Sequence, residues 1–117
     1  MHPEIKAKWV AALRSGEYKQ ATGQLRRNTR GKTSFCCLGV LCNLHAQAHP
    51  EIAAQQTDPE SYMCGTRCLP TAVMEWADLP SPRGDTLKIG NTFGSLSYHN
   101  DSWCTFARIA DAIESQL

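Results

Sequence analysis

The chain has 117 residues, 42% of them apolar, enough for one buried core and too many for a disordered tail. Its formal charge of +1 at pH 7 argues against strong non-specific binding to nucleic acid. The N-terminal MHPEIKAKW lacks the apolar core of a signal peptide, and no stretch is long and apolar enough to span a bilayer, so we expect a cytoplasmic protein with reduced cysteines and no membrane partner.

His2-Pro3-Glu4 reads as a helix start, with Pro at the first helical position and an acid in the first turn. Ile5, Trp9, Ala12 and Leu13 recur at helical spacing, and Gly16 suits the residue after the last turn. The segment TGQLRR at 22–27 predicts a strand, NTRGK at 28–32 a turn, and 33–36 the returning strand of a hairpin with a basic tip. From Cys37 the period becomes helical, with Leu38, Leu41, Cys42 and His45 on one face, ending before Pro50. Gly39 inside that helix lacks a Cβ and predicts close approach of another backbone. Residues 50–68 read as loop. Pro70 opens a short helix that turns Val73, Trp76 and Ala77 inward. Thr86–Ile89 and 95–98 alternate as a hairpin around 90–94. Asp101 or Ser102 is expected to cap a last helix carrying Phe106, Ile109, Ala110, Ile113 and Leu117 as its apolar stripe. These elements predict an α+β fold: about four helices with a small antiparallel sheet, in a single compact domain over residues 1–117. The expected core joins Trp9, Leu13, Leu38, Leu41, Cys42, Val73, Trp76, Phe106, Ile109 and Ile113.

The charge is segregated. Up to Lys32 there are eight Lys or Arg against Glu4 and Glu17, and beyond it four basic residues against nine acidic ones. Such asymmetry points to an anionic partner for the first third. A solvated basic face, or contacts to the acidic remainder, explains the same residues.

Half of the six cysteines fall in SFCCLGVLCNLH at 34–45. Zinc needs four tetrahedral ligands, for which Cys36, Cys37, Cys42, His45, Cys64 and Cys68 are candidates, but no C-x-x-C knuckle is present. A nucleophilic Cys37 would need a base among His45, His49 and His99, and no local signature joins them. The filling Leu38-Gly39-Val40-Leu41 is that of a buried helix, in which Cys acts as a small hydrophobe. We therefore assign no metal ligand, no cofactor and no catalytic residue.

Three motifs occur together: W-x-x-A-L-R-S-G at 9–16 followed by T-G-x-L-R at 22–26, C-C-L-G-V-L-C at 36–42, and N-D at 100–101 followed by F-x-x-I-A-D-x-I-E at 106–114. With this set the chain resembles a group of small, mostly uncharacterised phage and prophage proteins. The resemblance implies an accessory protein in the host bacterial cytosol, of a kind that often blocks host defences. Some such proteins bind a host defence protein, and others sequester a nucleotide signal without cleaving it.

The residues allow a nucleotide reading. Arg26, Arg27, Arg30 and Lys32 on the hairpin would clamp phosphates by charge-assisted hydrogen bonds. Tyr98, His99 and Trp103 would stack a base, and Asn100 would read its edge. Symmetric pairing would bring two basic hairpins around one ligand, so we expect a homo-oligomer. Helix capping alone accounts for Asn100-Asp101. The alternative is a protein-binding inhibitor whose acidic two-thirds mimics nucleic acid. A nucleic-acid binder ranks below both. A hydrolase ranks last, because paired carboxylates, G-x-S-x-G and a phosphate loop are missing from the sequence.

Overall fold

Pro3 does start the first helix, α1 (Pro3–Arg14), and His2 Nδ1 accepts from the Ile5 N–H to cap it. The computed structural model describes residues 1–117. A hairpin follows, β1 (Arg26–Thr29) and β2 (Lys32–Phe35), paired antiparallel with Arg26 opposite Phe35 and Thr29 opposite Lys32. Its two-residue turn places Arg30 and Gly31 at φ 54° and 79°, the left-handed pair that matches strand twist in tight hairpins. The central helix α2 (Cys37–Ala48) comes next, then the short α3 (Pro50–Ala53) and α4 (Thr71–Ala77). A second hairpin, β3 (Thr86–Ile89) with β4 (Thr92–Ser95), leads into α5 (Leu96–Asp101) and the last helix α6 (Phe106–Gln116). The fold is α+β, and its strands form two separate two-stranded sheets.

Helix α2 is the axis of the core. Every residue from Cys37 to Cys42 is buried, and its neighbours include Trp9, Leu25, Leu69, Val73, Leu96 and Ile109 in one apolar cluster. Trp9 donates its indole N–H to the Cys37 carbonyl at 2.9 Å. A Cβ on Gly39 would stand 1.8 Å from the Leu25 carbonyl oxygen, so the expected close approach is made by the chain entering β1. The cysteines of 36–42 are therefore core residues whose small volume suits this crowded junction. All the expected core residues lie in or against this cluster, with Trp76 only half-buried.

Five expectations are corrected. The first strand runs Arg26–Thr29 and not 22–27. Residues 50–53 form a helical turn within the expected loop, since Pro at a first helical position is pre-set for one. The second hairpin returns at Thr92–Ser95. Residues 96–98, expected in the returning strand, open the helix that runs to Asp101, because Ser95 Oγ caps it by accepting from the Tyr98 N–H. The cap of α6 is Thr105, whose side chain accepts from the Arg108 N–H, while Asp101 ends α5.

Candidate functional site

Adjacent residues on a strand face opposite ways, and this separates Arg26 from Arg27. Arg26 turns to the 58–62 loop, where its guanidinium donates to the carbonyls of Asp58 and Ser61 and lies 6.0 Å from the Tyr62 ring centre. Its Nε is buried without a partner. Arg26 thus ties a loop to the hairpin and does not face a ligand cavity. Arg27 turns the other way, its Nε donating to the Thr22 carbonyl at 2.8 Å.

Arg27 lines a cavity of about 690 Å³ with Arg67, Arg83, Ser95, Ser97, Tyr98 and Asp101. The three arginines come from β1, from the 54–70 connection and from the 78–85 connection. All three are exposed. The chain's two ion pairs both belong to Arg14, with Asp111 and Glu114, so no carboxylate pairs with the cavity's guanidinium groups. Asp101, the cavity's one acid, already accepts from the Gly23 N–H at 2.9 Å and from Asn100 Nδ2. The hydroxyls of Ser95 and Ser97 are 3.1 Å apart on the far wall. Cys36 closes the floor, and burial pushes its thiol up to about 11, so it stays protonated at neutral pH.

A second cavity of about 320 Å³ adjoins the first. Tyr98 and Ser102 line both, and Trp103, Arg108, Asn91 and His99 line the second. Tyr98 is held against Gly94, where a Cβ would come within 2.5 Å of the Tyr98 ring. A third cavity, about 290 Å³, is lined by Lys19, Arg30 and Lys32 with Thr29, Thr33 and Ser34. The basic hairpin tip therefore lines a different cavity from Arg27.

The residues expected to read a base split in the same way. Tyr98 and Trp103 are exposed, but His99 and Asn100 are buried. His99 bonds the Leu87 carbonyl through Nε2 at 2.8 Å. Asn100 accepts from the Cys37 and Gln20 N–H groups and donates to the Ala21 carbonyl at 2.7 Å. Its amide edge is fully used inside the protein, so the role of reading a base passes away from it. The physical reason is helix α5, which turns residues 99 and 100 inward when 98 faces out.

The six cysteines do not gather, with Cys36, Cys37 and Cys42 buried and Cys64 and Cys68 exposed. No group of three or more His, Cys, Asp or Glu side chains is placed to hold a metal ion, and no helix is long and apolar enough to cross a membrane.

The model of a family described as a domain of unknown function, DUF8296, matches residues 1–117. The chain belongs to that family. No curated protein and no solved structure matches it. In this DUF8296 chain the sequence reasoning missed Arg67, Arg83 and Arg108. They are three of the four basic residues in the acidic two-thirds, and a search for local density passes over isolated charges. A usable signal was present: Arg67 lies between Gly65 and Pro70, and Arg83 between Pro82 and Gly84, where Gly and Pro mark turns on the surface.

Proposed function

We propose that this protein is a phage-encoded accessory protein that counters host defence by sequestering an anionic, phosphate-bearing nucleotide signal without cleaving it. The observation that carries the reading is the convergence of Arg27, Arg67 and Arg83 on one cavity, none of them in an ion pair and Asp101 the single acid against three guanidinium groups. Guanidinium groups bind phosphate oxygens in pairs of parallel hydrogen bonds, and the hydroxyls of Ser95 and Ser97 add further donors. Binding without turnover is supported by the state of the cavity's one carboxylate, Asp101, which already accepts from the Gly23 N–H and Asn100 Nδ2 and has no imidazole or second carboxylate beside it in the lining. The phage setting rests on the three shared motifs. In the same reading, two copies close the open cavities over the ligand as a homo-oligomer in the host cytosol.

The test is isothermal titration of the protein with inorganic pyrophosphate and a panel of nucleotides, followed by heat release and analysis of the ligand. We expect binding, recovery of the ligand intact, and a raised melting temperature, because only the folded state binds. Replacing Arg67 and Arg83 together by Ala should weaken binding by roughly 100-fold and leave the fold intact, as both side chains are exposed. Failure of pyrophosphate and every nucleotide to bind would overturn the reading. Exposed Phe93, Tyr98 and Trp103 favour one competitor, direct binding of a host defence protein through an apolar face. Stoichiometric capture of one host protein, lost on replacing Phe93 by Ser, would support it.

A further inference from the structure

The backbone leaving α5 forms a left-handed helix stop. The Cys104 N–H bonds the His99 carbonyl at 3.0 Å and the Trp103 N–H bonds the Asn100 carbonyl at 3.1 Å, the hydrogen-bond pair in which glycine normally occupies the residue after the helix. Here that residue is Trp103, at φ 60°. A bulky aromatic in this conformation is an outlier that lowers stability. Its side chain gains little burial in return, being 66% exposed. Neither packing nor backbone preference explains a tryptophan at this position.

The surroundings point to what it does. Trp103 lines the second cavity with Tyr98 and Arg108. The Arg108 side chain lies over the β3–β4 turn, where a Cβ on Gly90 would be 3.5 Å from its Nη2. It has no ion pair in the chain. The cavity therefore combines an exposed aromatic face, a second ring and a free guanidinium, and it shares the Tyr98–Ser102 wall with the arginine-lined cavity.

We infer that the two cavities form one bipartite site, in which Trp103 and Tyr98 hold the planar base of a nucleoside diphosphate or larger nucleotide whose phosphates lie among Arg27, Arg67 and Arg83. This rests on the phosphate reading above for one half and on the Trp103 geometry for the other. Base stacking on an aromatic side chain is sequence-tolerant, because every base offers a π-face. Arg108 adds donors for acceptor atoms on the base edge, such as the O6 and N7 pair of guanine.

The test compares inorganic pyrophosphate, the four common nucleoside diphosphates and their nucleosides by isothermal titration and tryptophan emission. Trp9 is fully buried, Trp76 half-buried and Trp103 exposed, so quenching that disappears in Trp103→Gly is assigned to Trp103. We expect at least one diphosphate to bind about tenfold or more tightly than pyrophosphate and to quench emission. Trp103→Gly should bring that diphosphate down to the pyrophosphate affinity while keeping the melting temperature at or above that of the parent. Equal binding of pyrophosphate and all diphosphates overturns the inference and leaves the arginine cavity standing. So does an advantage that survives Trp103→Gly. Quenching by nucleosides without any pyrophosphate binding supports the base subsite and overturns the arginine cavity. If none of these compounds binds, both fall.

Discussion

Asn100 holds three segments at one buried point. Its Oδ1 accepts from the first N–H of α2 and from Gln20, and its Nδ2 donates to the Ala21 carbonyl. Asn100→Ala leaves the Cys37 N–H and the Ala21 carbonyl without partners away from water, and should cost roughly 2–5 kcal/mol in chemical denaturation. His45 is a second buried polar residue, bonded through Nδ1 to the Tyr62 hydroxyl at 2.6 Å and stacked on His49. Burial pushes the Tyr62 hydroxyl up to about 12, so it stays protonated at neutral pH. Burial, with the neighbouring His49 adding to it, lowers the His45 pKa below its ordinary 6.5. The unfolded chain therefore takes up the proton first. This stabilising contribution is complete above about pH 6.5 and is lost as pH falls through the folded-state value. Denaturation midpoints should decline below that pH, and His45→Gln should flatten the decline. An unaltered slope in the variant would show that His45 is not the group responsible.

At the scale of elements, α2 is fixed by what touches its two sides. Gly39→Ala drives a methyl into the Leu25 carbonyl, a backbone atom that cannot rotate away. Either α2 or the start of β1 must shift, and we expect a loss of roughly 3 kcal/mol or more. Leu41→Ala leaves a cavity in the same helix and should cost roughly 2–5 kcal/mol. The two variants fail differently. The first should also disturb the hairpin, which amide exchange at Leu25 and Cys36 would register, since their N–H groups bond Thr66 and Leu25 carbonyls. The second should leave those amides protected until global unfolding.

Over the whole molecule, the thiols divide by burial into three groups, with Cys104 between the buried and the exposed ones. Cys36, Cys37 and Cys42 are buried, and burial raises all three pKa values. Cys64 and Cys68 are exposed. A thiol reagent should modify Cys64 and Cys68 rapidly in the native protein and Cys104 more slowly. The three core thiols should react only at the rate of global opening, because they lie in one cooperative cluster with Trp9 and Ile109. Mass spectrometry after brief labelling checks this. Fast labelling of Cys42 in the native state would mean that α2 opens by itself.

The order of the elements was legible in the sequence because local chemistry dictates it. Pro3 and Pro70 open helices, the Arg30-Gly31 turn closes a hairpin, Gly39 marks a backbone contact, and the stripe from Phe106 to Ile113 faces the core. Each depends on a spacing or a backbone preference within a few residues. The helix at 96–101 escaped because the alternation of 95–98 also suits a strand, and only the Ser95 cap and the burial of Leu96, His99 and Asn100 decide for helix. The site was less legible for the same reason. The density of charge in the first third drew attention to Arg26, Arg30 and Lys32, of which one ties a loop and two line another cavity. The cavity of Arg27, Arg67 and Arg83 spans 56 residues of sequence. No local pattern encodes that meeting. It exists because the first hairpin, the 54–70 and 78–85 connections and the start of α5 meet around one cavity, and only the tertiary structure decides which isolated charges meet there.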